Sequence, residues 1–111
     1  MNWIEITEEA QLSNVKTLSL EKPQLIFKHS TRCPVSSMAK TRLERGSTPD
    51  NIDFYYLDLI KHRGISQKVA EIFAVGHESP QILLIKNGEC IYDDSHSGIS
   101  MDDIVEQSAS N

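Results

Sequence analysis

Apolar and polar positions along the chain switch between a two-residue and a helical period, and most stretches end at a recognisable breaker. Trp3-Ile-Glu-Ile6 alternates as a short strand does. Thr7 followed by Glu8 and Glu9 reads as an N-cap with acids in the first helical turn, opening a helix that runs to about Leu18–Leu20 before Pro23. Leu25-Ile-Phe27 is the short apolar run of a strand buried on both faces. It gives way to a polar stretch, Lys28-His-Ser-Thr-Arg-Cys33. Pro34 then suits the first position of a helix, where its missing N–H costs nothing. Val35, Ala39 and Leu43, with Met38 beside them, predict that helix's apolar face, and Gly46 its stop.

Ile52–Leu59 is rich in β-formers and predicts a further buried strand. Ile65, Val69, Ile72 and Phe73 share one face of a third helix, with Gly76 at its end. Gln81–Lys86 reads as a strand, Asn87-Gly88 as a two-residue hairpin turn, and Cys90-Ile-Tyr92 as the returning strand. Ser100-Met-Asp-Asp103 forms a capping box for a last short helix. The order βαβαβαββα predicts an α/β fold with a central mixed sheet flanked by helices. This is the thioredoxin order.

Composition narrows the function classes. The 111 residues fit a single domain spanning 1–111, with 39% hydrophobic and 24% charged residues. The net charge of −5 comes from interspersed acids and bases, which argues against a nucleic-acid binder and its basic stripe. No apolar stretch approaches membrane-spanning length, so no membrane partner is expected. The N-terminus lacks the basic start and apolar segment of a signal peptide, and two cysteines do not make a disulfide scaffold. The expected setting is the cytoplasm.

The candidate chemistry centres on Cys33, where a buried strand hands over to a helix opened by Pro34. A helix N-terminus carries free N–H groups and partial positive charge that favour the thiolate, the reactive form of cysteine. Lys28, His29 and Arg32 lie just upstream and add positive potential. Ser36 stands where a dithiol redox protein has its second cysteine. It can offer its hydroxyl to the Cys33 sulfur, but it cannot resolve a mixed disulfide, so the mechanism implied is monothiol. The competing reading makes Cys33 a buried structural thiol; the polar, basic loop argues against it.

Pro80 precedes a strand, and the thioredoxin order places it opposite the cysteine turn, where a proline is often cis and leaves neighbouring backbone free for a substrate strand. Cys90 follows the hairpin turn. Six strand residues at ~3.3 Å each put it roughly 20 Å from the Pro80 end, too far for a disulfide that needs Cα atoms within about 7 Å. The returning strand brings Ser95–Gly98 back, so His77, Ser79, His96 and Gly98 are expected to gather near Cys33. Gly98 could admit close approach of a ligand, and the histidines could bind anionic groups, protonate a leaving thiolate, or simply fix loops. No paired ligand spacing suggests a metal site, and no glycine loop suggests a phosphate site.

Thr31-Arg-Cys-Pro-Val-Ser36, His77-Glu-Ser-Pro-Gln81 and Ser95-His96 together resemble the monothiol bacilliredoxin-like proteins of the bacillithiol system, over about Ile6 to Val105. The resemblance implies a thioredoxin-fold protein whose Cys33 removes bacillithiol, or a similar low-molecular-weight thiol, from S-thiolated client proteins. Cys33 would hold that thiol as its own mixed disulfide until a second thiol regenerates it. The malyl group of bacillithiol carries two carboxylates, for which Lys28, Arg32 and a helix N-terminus could supply a basic rim. Two other functions stay open: a non-catalytic binding or adaptor module, and an iron–sulfur carrier of the monothiol glutaredoxin kind. Against the second, the turn reads Cys-Pro-Val-Ser rather than Cys-Gly-Phe-Ser.

Overall fold

A computed structural model describes residues 1–109; residues 110 and 111, the end of the expected domain, lie outside the described part. In chain order the elements are β1 (Ile4–Glu5), α1 (Ala10–Leu18), β2 (Gln24–His29), α2 (Pro34–Glu44), β3 (Asp53–Asp58), α3 (Arg63–Phe73), β4 (Gln81–Lys86), β5 (Glu89–Ser95) and α4 (Met101–Ala109), with a short 3-10 turn at His96–Gly98 before α4. This is the βαβαβαββα order expected.

The five strands form one mixed sheet in the order β1-β3-β2-β4-β5. β1 and β2 run parallel to β3, β4 runs antiparallel to β2, and β5 runs antiparallel to β4. Strand alternation sends Ile26, Tyr55, Leu57, Leu83 and Ile85 to one face, where they pack with Leu12 and Val15 of α1 and Ile65, Val69 and Phe73 of α3. Leu25, Phe27, Phe54, Ile82 and Leu84 face the other side, against Ala39 and Leu43 of α2 and Ile104 of α4.

Several local signals act as expected. Asn87 and Gly88 both adopt positive φ (55° and 81°), the pair of angles a type I′ hairpin demands. Ser100 Oγ accepts the Asp103 N–H at 3.2 Å and caps α4. Gly46, just past the end of α2, takes φ +89°.

Other expectations need correction. Thr7 does not cap α1, which starts at Ala10. Gln11 reaches back instead, its Oε1 accepting the N–H groups of Thr7 and Glu8 at 2.7 and 2.9 Å while its Nε2 donates to Glu5 O. On α2, Val35 and Met38 are 44% and 62% exposed; the inward stripe is Ser36-Ala39-Leu43, at i, i+3 and i+7. On α3, Ile72 faces solvent, and the left-handed stop is Ala74 rather than Gly76. β2 is the largest correction. β3 continues the ladder through Lys28 and His29, and β4 pairs with β2 as far as Lys28, so these are buried strand residues and not part of a polar loop.

Candidate functional site

Strand register decides which loops meet. His29 at the end of β2 lies opposite Asp58, Lys28 lies opposite Gln81, and Gln81 lies opposite Ser95. The segments 30–36, 59–66, 77–80 and 96–98 therefore all emerge at one end of the sheet, and the expected site residues fall in or beside them.

Cys33 is the N-cap residue of α2, with extended backbone (φ −107°, ψ 117°) and Pro34 in the first helical position. Its N–H donates to Ser30 O at 3.1 Å and its C=O accepts the Ser37 N–H at 3.1 Å, which fixes the turn. The residue is half-buried, its thiol is free, and Arg32 beside it is exposed.

Ser36 is fully buried one turn into the helix, its Oγ 2.6 Å from His29 Nδ1 and accepting the Ser30 N–H at 3.0 Å. The hydroxyl expected to face the Cys33 sulfur is engaged with this pair instead, because Ser36 heads the inward stripe of α2. His29 lies between two rings, with centroids 5.5 Å from both Phe27 and Tyr56. Burial, then the Lys40 ammonium, pulls its pKa below the ordinary imidazole value, against Asp58 and Glu44, which raise it. The sequence places His29 near the cysteine but gives no sign of this partnership.

Lys28 points to the opposite face of the sheet and is 0% exposed, so it is not a rim residue. Its Nζ is 3.3 Å from His77 Nδ1, and Ser66 Oγ approaches the same nitrogen at 3.5 Å. Burial lowers the Lys28 pKa from 10.5 to about 8. His77 is lowered as well, by burial and then by Lys28, with Glu78 working the other way. His77 also borders a cleft of about 360 Å³ lined by Leu59, Arg63, Ser66 and Gln67.

The loop carrying His77 is tied down by Gln81, whose Nε2 donates to Gly76 O at 2.9 Å and whose Oε1 accepts the Glu78 N–H at 3.3 Å. The Ser79–Pro80 bond is cis, Pro80 is buried, and Pro80 O accepts the His96 N–H at 3.1 Å. His96 is exposed at φ 56°, and Arg42 of α2 donates to His96 O (3.1 Å) and Ile99 O (3.3 Å). Neither Arg42 nor Gln81 was a candidate from spacing. Their partners lie 57 and five residues away and carry no shared period. Gly98 corrects a further expectation: a Cβ there would lie 2.5 Å from Asp94 Oδ1, so the space beside it is filled by a carboxylate and not left for a ligand.

Cys90 sits opposite Ile85 at the hairpin end of the sheet, away from this cluster. It is half-buried, donates to Tyr92 O at 3.4 Å, and burial pushes its pKa up to about 11. Among the described residues no group of three or more His, Cys, Asp or Glu side chains could hold a metal ion. No helix among them is long and apolar enough to cross a membrane.

A family model described as monothiol bacilliredoxin BrxC matches residues 4–104. Among solved structures, the chain is similar to one described as a candidate oxidoreductase with a thioredoxin fold, at 28% identity over 94% of this chain and 91% of that one, with a TM-score of 0.82. It also resembles the thioredoxin of Malassezia sympodialis (24% identity, 97% and 92% covered, TM-score 0.78). The thioredoxin of Trypanosoma brucei brucei has 13% identity, 95% and 92% covered, and a TM-score of 0.74. The last two likenesses establish the thioredoxin fold alone.

Proposed function

Because the chain belongs to the monothiol bacilliredoxin family, a family of thioredoxin-fold thiol redox proteins, we propose that Cys33 removes bacillithiol, or a similar low-molecular-weight thiol, from mixed disulfides on client proteins. The observation that carries this reading is the free, half-buried Cys33 thiol at the head of α2, with Ser36 buried where a resolving cysteine would stand. The Cys33 thiolate attacks the small-thiol sulfur of the client's disulfide. The S–S bond breaks, the client leaves as a thiolate, and Cys33 carries the small thiol as a new disulfide. An external thiolate then attacks that disulfide and leaves with the small thiol, restoring Cys33 without a net change in its oxidation state.

The surroundings support this use. Free N–H groups at the head of α2 favour negative charge on the sulfur. The exposed Arg32 supplies a cation for the carboxylates of the small thiol, while His77, Ser79, Pro80, His96 and Gly98 border the same end of the sheet. The whole chain acts as one domain in a reducing cytoplasm, where mixed disulfides are reversible marks rather than structural bonds.

The test uses a client protein carrying a bacillithiol or glutathione mixed disulfide, followed by mass spectrometry. Wild type is expected to strip the adduct and to carry it transiently on Cys33, and Cys33→Ser to do neither. Adduct removal by Cys33→Ser at the wild-type rate would overturn the proposal.

A further inference from the structure

A buried lysine without a carboxylate is costly, because the ammonium loses water and gains no opposite charge. Lys28 is such a residue. It is fully buried in β2 and takes part in none of the ion pairs among the described residues. Its Nζ instead lies 3.3 Å from His77 Nδ1. A charged ammonium only donates, so the facing Nδ1 must accept with its lone pair, which leaves the imidazole proton on Nε2. Ser66 Oγ lies 3.5 Å from the same nitrogen, and its hydroxyl can donate to that lone pair.

We infer that Lys28 is a positioning residue for His77: it fixes the imidazole as the neutral tautomer protonated on Nε2, so that His77 meets the substrate as a hydrogen-bond donor and not as a cation. The pairing stands on the Lys28–His77 geometry. Its consequence for substrate rests on the reading of this end of the sheet as the exchange site.

The charges around His77 favour this state. Lys28 from β2 opposes a second proton on the ring, and Arg63 of α3 lines the same cleft. Glu78 in the same loop favours the cation. Burial sides with Lys28, and Gln67 and Ser66 are neutral. Gln81 holds the loop backbone on both sides of His77, at Gly76 O and the Glu78 N–H. A neutral Nε2–H can steady a departing thiolate by hydrogen bonding without bringing a charge of its own. An imidazolium would add a charge that appears and vanishes near neutrality.

The experiment records imidazole nitrogen shifts by NMR across pH in wild type and in Lys28→Met, with His77→Gln identifying the signal. Wild type is expected to show His77 with a bare Nδ1, a protonated Nε2 and a titration midpoint below that of a free histidine. In Lys28→Met the midpoint is expected to shift upward, and the exchange rate of that variant to gain a pH dependence over the same interval. Protonation of Nδ1 in neutral wild type, or an unmoved midpoint in folded Lys28→Met, would overturn the inference. The wild-type tautomer decides the matter even if the variant does not fold. Absence of exchange activity in wild type would remove the proposed reaction and leave the pairing intact, so the two failures are separable.

Discussion

His29 Nδ1 and Ser36 Oγ lie 2.6 Å apart, joining the end of the central strand to the first turn of the cysteine-bearing helix. The same hydroxyl oxygen takes the Ser30 N–H, so one serine closes both sides of the loop that leads to Cys33. A cysteine at position 36 would give a resolving thiol. The serine gives a fixed loop, and under the proposed function any mixed disulfide at Cys33 would need an outside thiol for its release.

Ser36→Ala therefore removes more than a hydroxyl. It leaves a buried imidazole nitrogen and a backbone N–H without partners, and the expected loss is about 1–3 kcal/mol of unfolding free energy. Denaturant melts read it directly. A variant as stable as wild type would show that water or a shifted loop replaces the pair.

The pH dependence of stability follows from Lys28. Its pKa is about 8 in the folded protein and 10.5 when solvated. Between those values the unfolded chain binds more protons, so folding stability rises as pH increases from 8 towards 10.5. Below pH 8 the buried ammonium is a standing cost, and Lys28→Met is expected to gain about 1–2 kcal/mol at pH 7, less than the whole shift because the His77 contact is lost. That gain shrinks as pH rises through 8. At the acid end, His29 and His77 are both held below the ordinary value, so stability falls as pH drops below about 6.5, where the unfolded chain takes up protons first. Melting curves from pH 5 to 10 on both proteins test all three slopes.

These results bear on what the sequence could disclose. Element order, hairpin turn, C-terminal cap and the placement of Cys33 at a helix start are each encoded by neighbours within a few residues, and they were legible. The buried polar pairs were not. Lys28 and His29 look like the start of a basic loop because their partners, His77 and Ser36, lie 49 and seven residues away with no shared periodicity. Only the extension of β2 through them, paired with β3 at both and with β4 at Lys28, makes them interior residues. Val35 and Met38 mislead for the related reason that an apolar residue beside a reactive turn need not face the core.

Gly98→Ala is expected to destabilise the segment before α4 by about 1–3 kcal/mol, since the new methyl would press on a carboxylate held by the Ser95 N–H at 2.8 Å and the Tyr92 hydroxyl at 3.0 Å. Asp94→Ala should relieve that clash, so the double variant loses less than the sum of the single ones. Asp94→Ala also carries a second readout. Burial first, and then Asp94, raise the Tyr92 pKa to about 12, so its phenol should ionise at lower pH in that variant. Additive losses with an unmoved phenol would count against the contact.

Cys90→Ser is expected to keep full exchange activity. The Cys90 thiol is half-buried at the hairpin end of the sheet, and burial holds its pKa near 11. Peptide mapping after brief alkylation at pH 8 should find the label at Cys33 and almost none at Cys90. Loss of exchange in Cys90→Ser would assign Cys90 a part in turnover that its place in the sheet does not suggest.

Arg42 links the cysteine-bearing helix to the far side of the cluster. Its guanidinium donates to His96 O and Ile99 O, carbonyls 54 and 57 residues along the chain, on the turn that also receives Pro80 O through the His96 N–H. A planar fork serves both carbonyls at once, whereas a lysine ammonium reaches one at a time. Arg42→Met should therefore raise hydrogen exchange of the 96–99 amides and cost about 1 kcal/mol in stability, with Arg42→Lys recovering part of each. The alkylation rate of Cys33 should stay near wild type, because the turn at Ser30–Ser37 has its own hydrogen bonds. Under the proposed function, removal of a small thiol from a bulky client should slow, because a client docked at Cys33 would also lie against the 96–98 turn. Unchanged amide exchange at 96–99 in Arg42→Met would show that the turn is held by its Pro80 contact alone and that the helix does not position it.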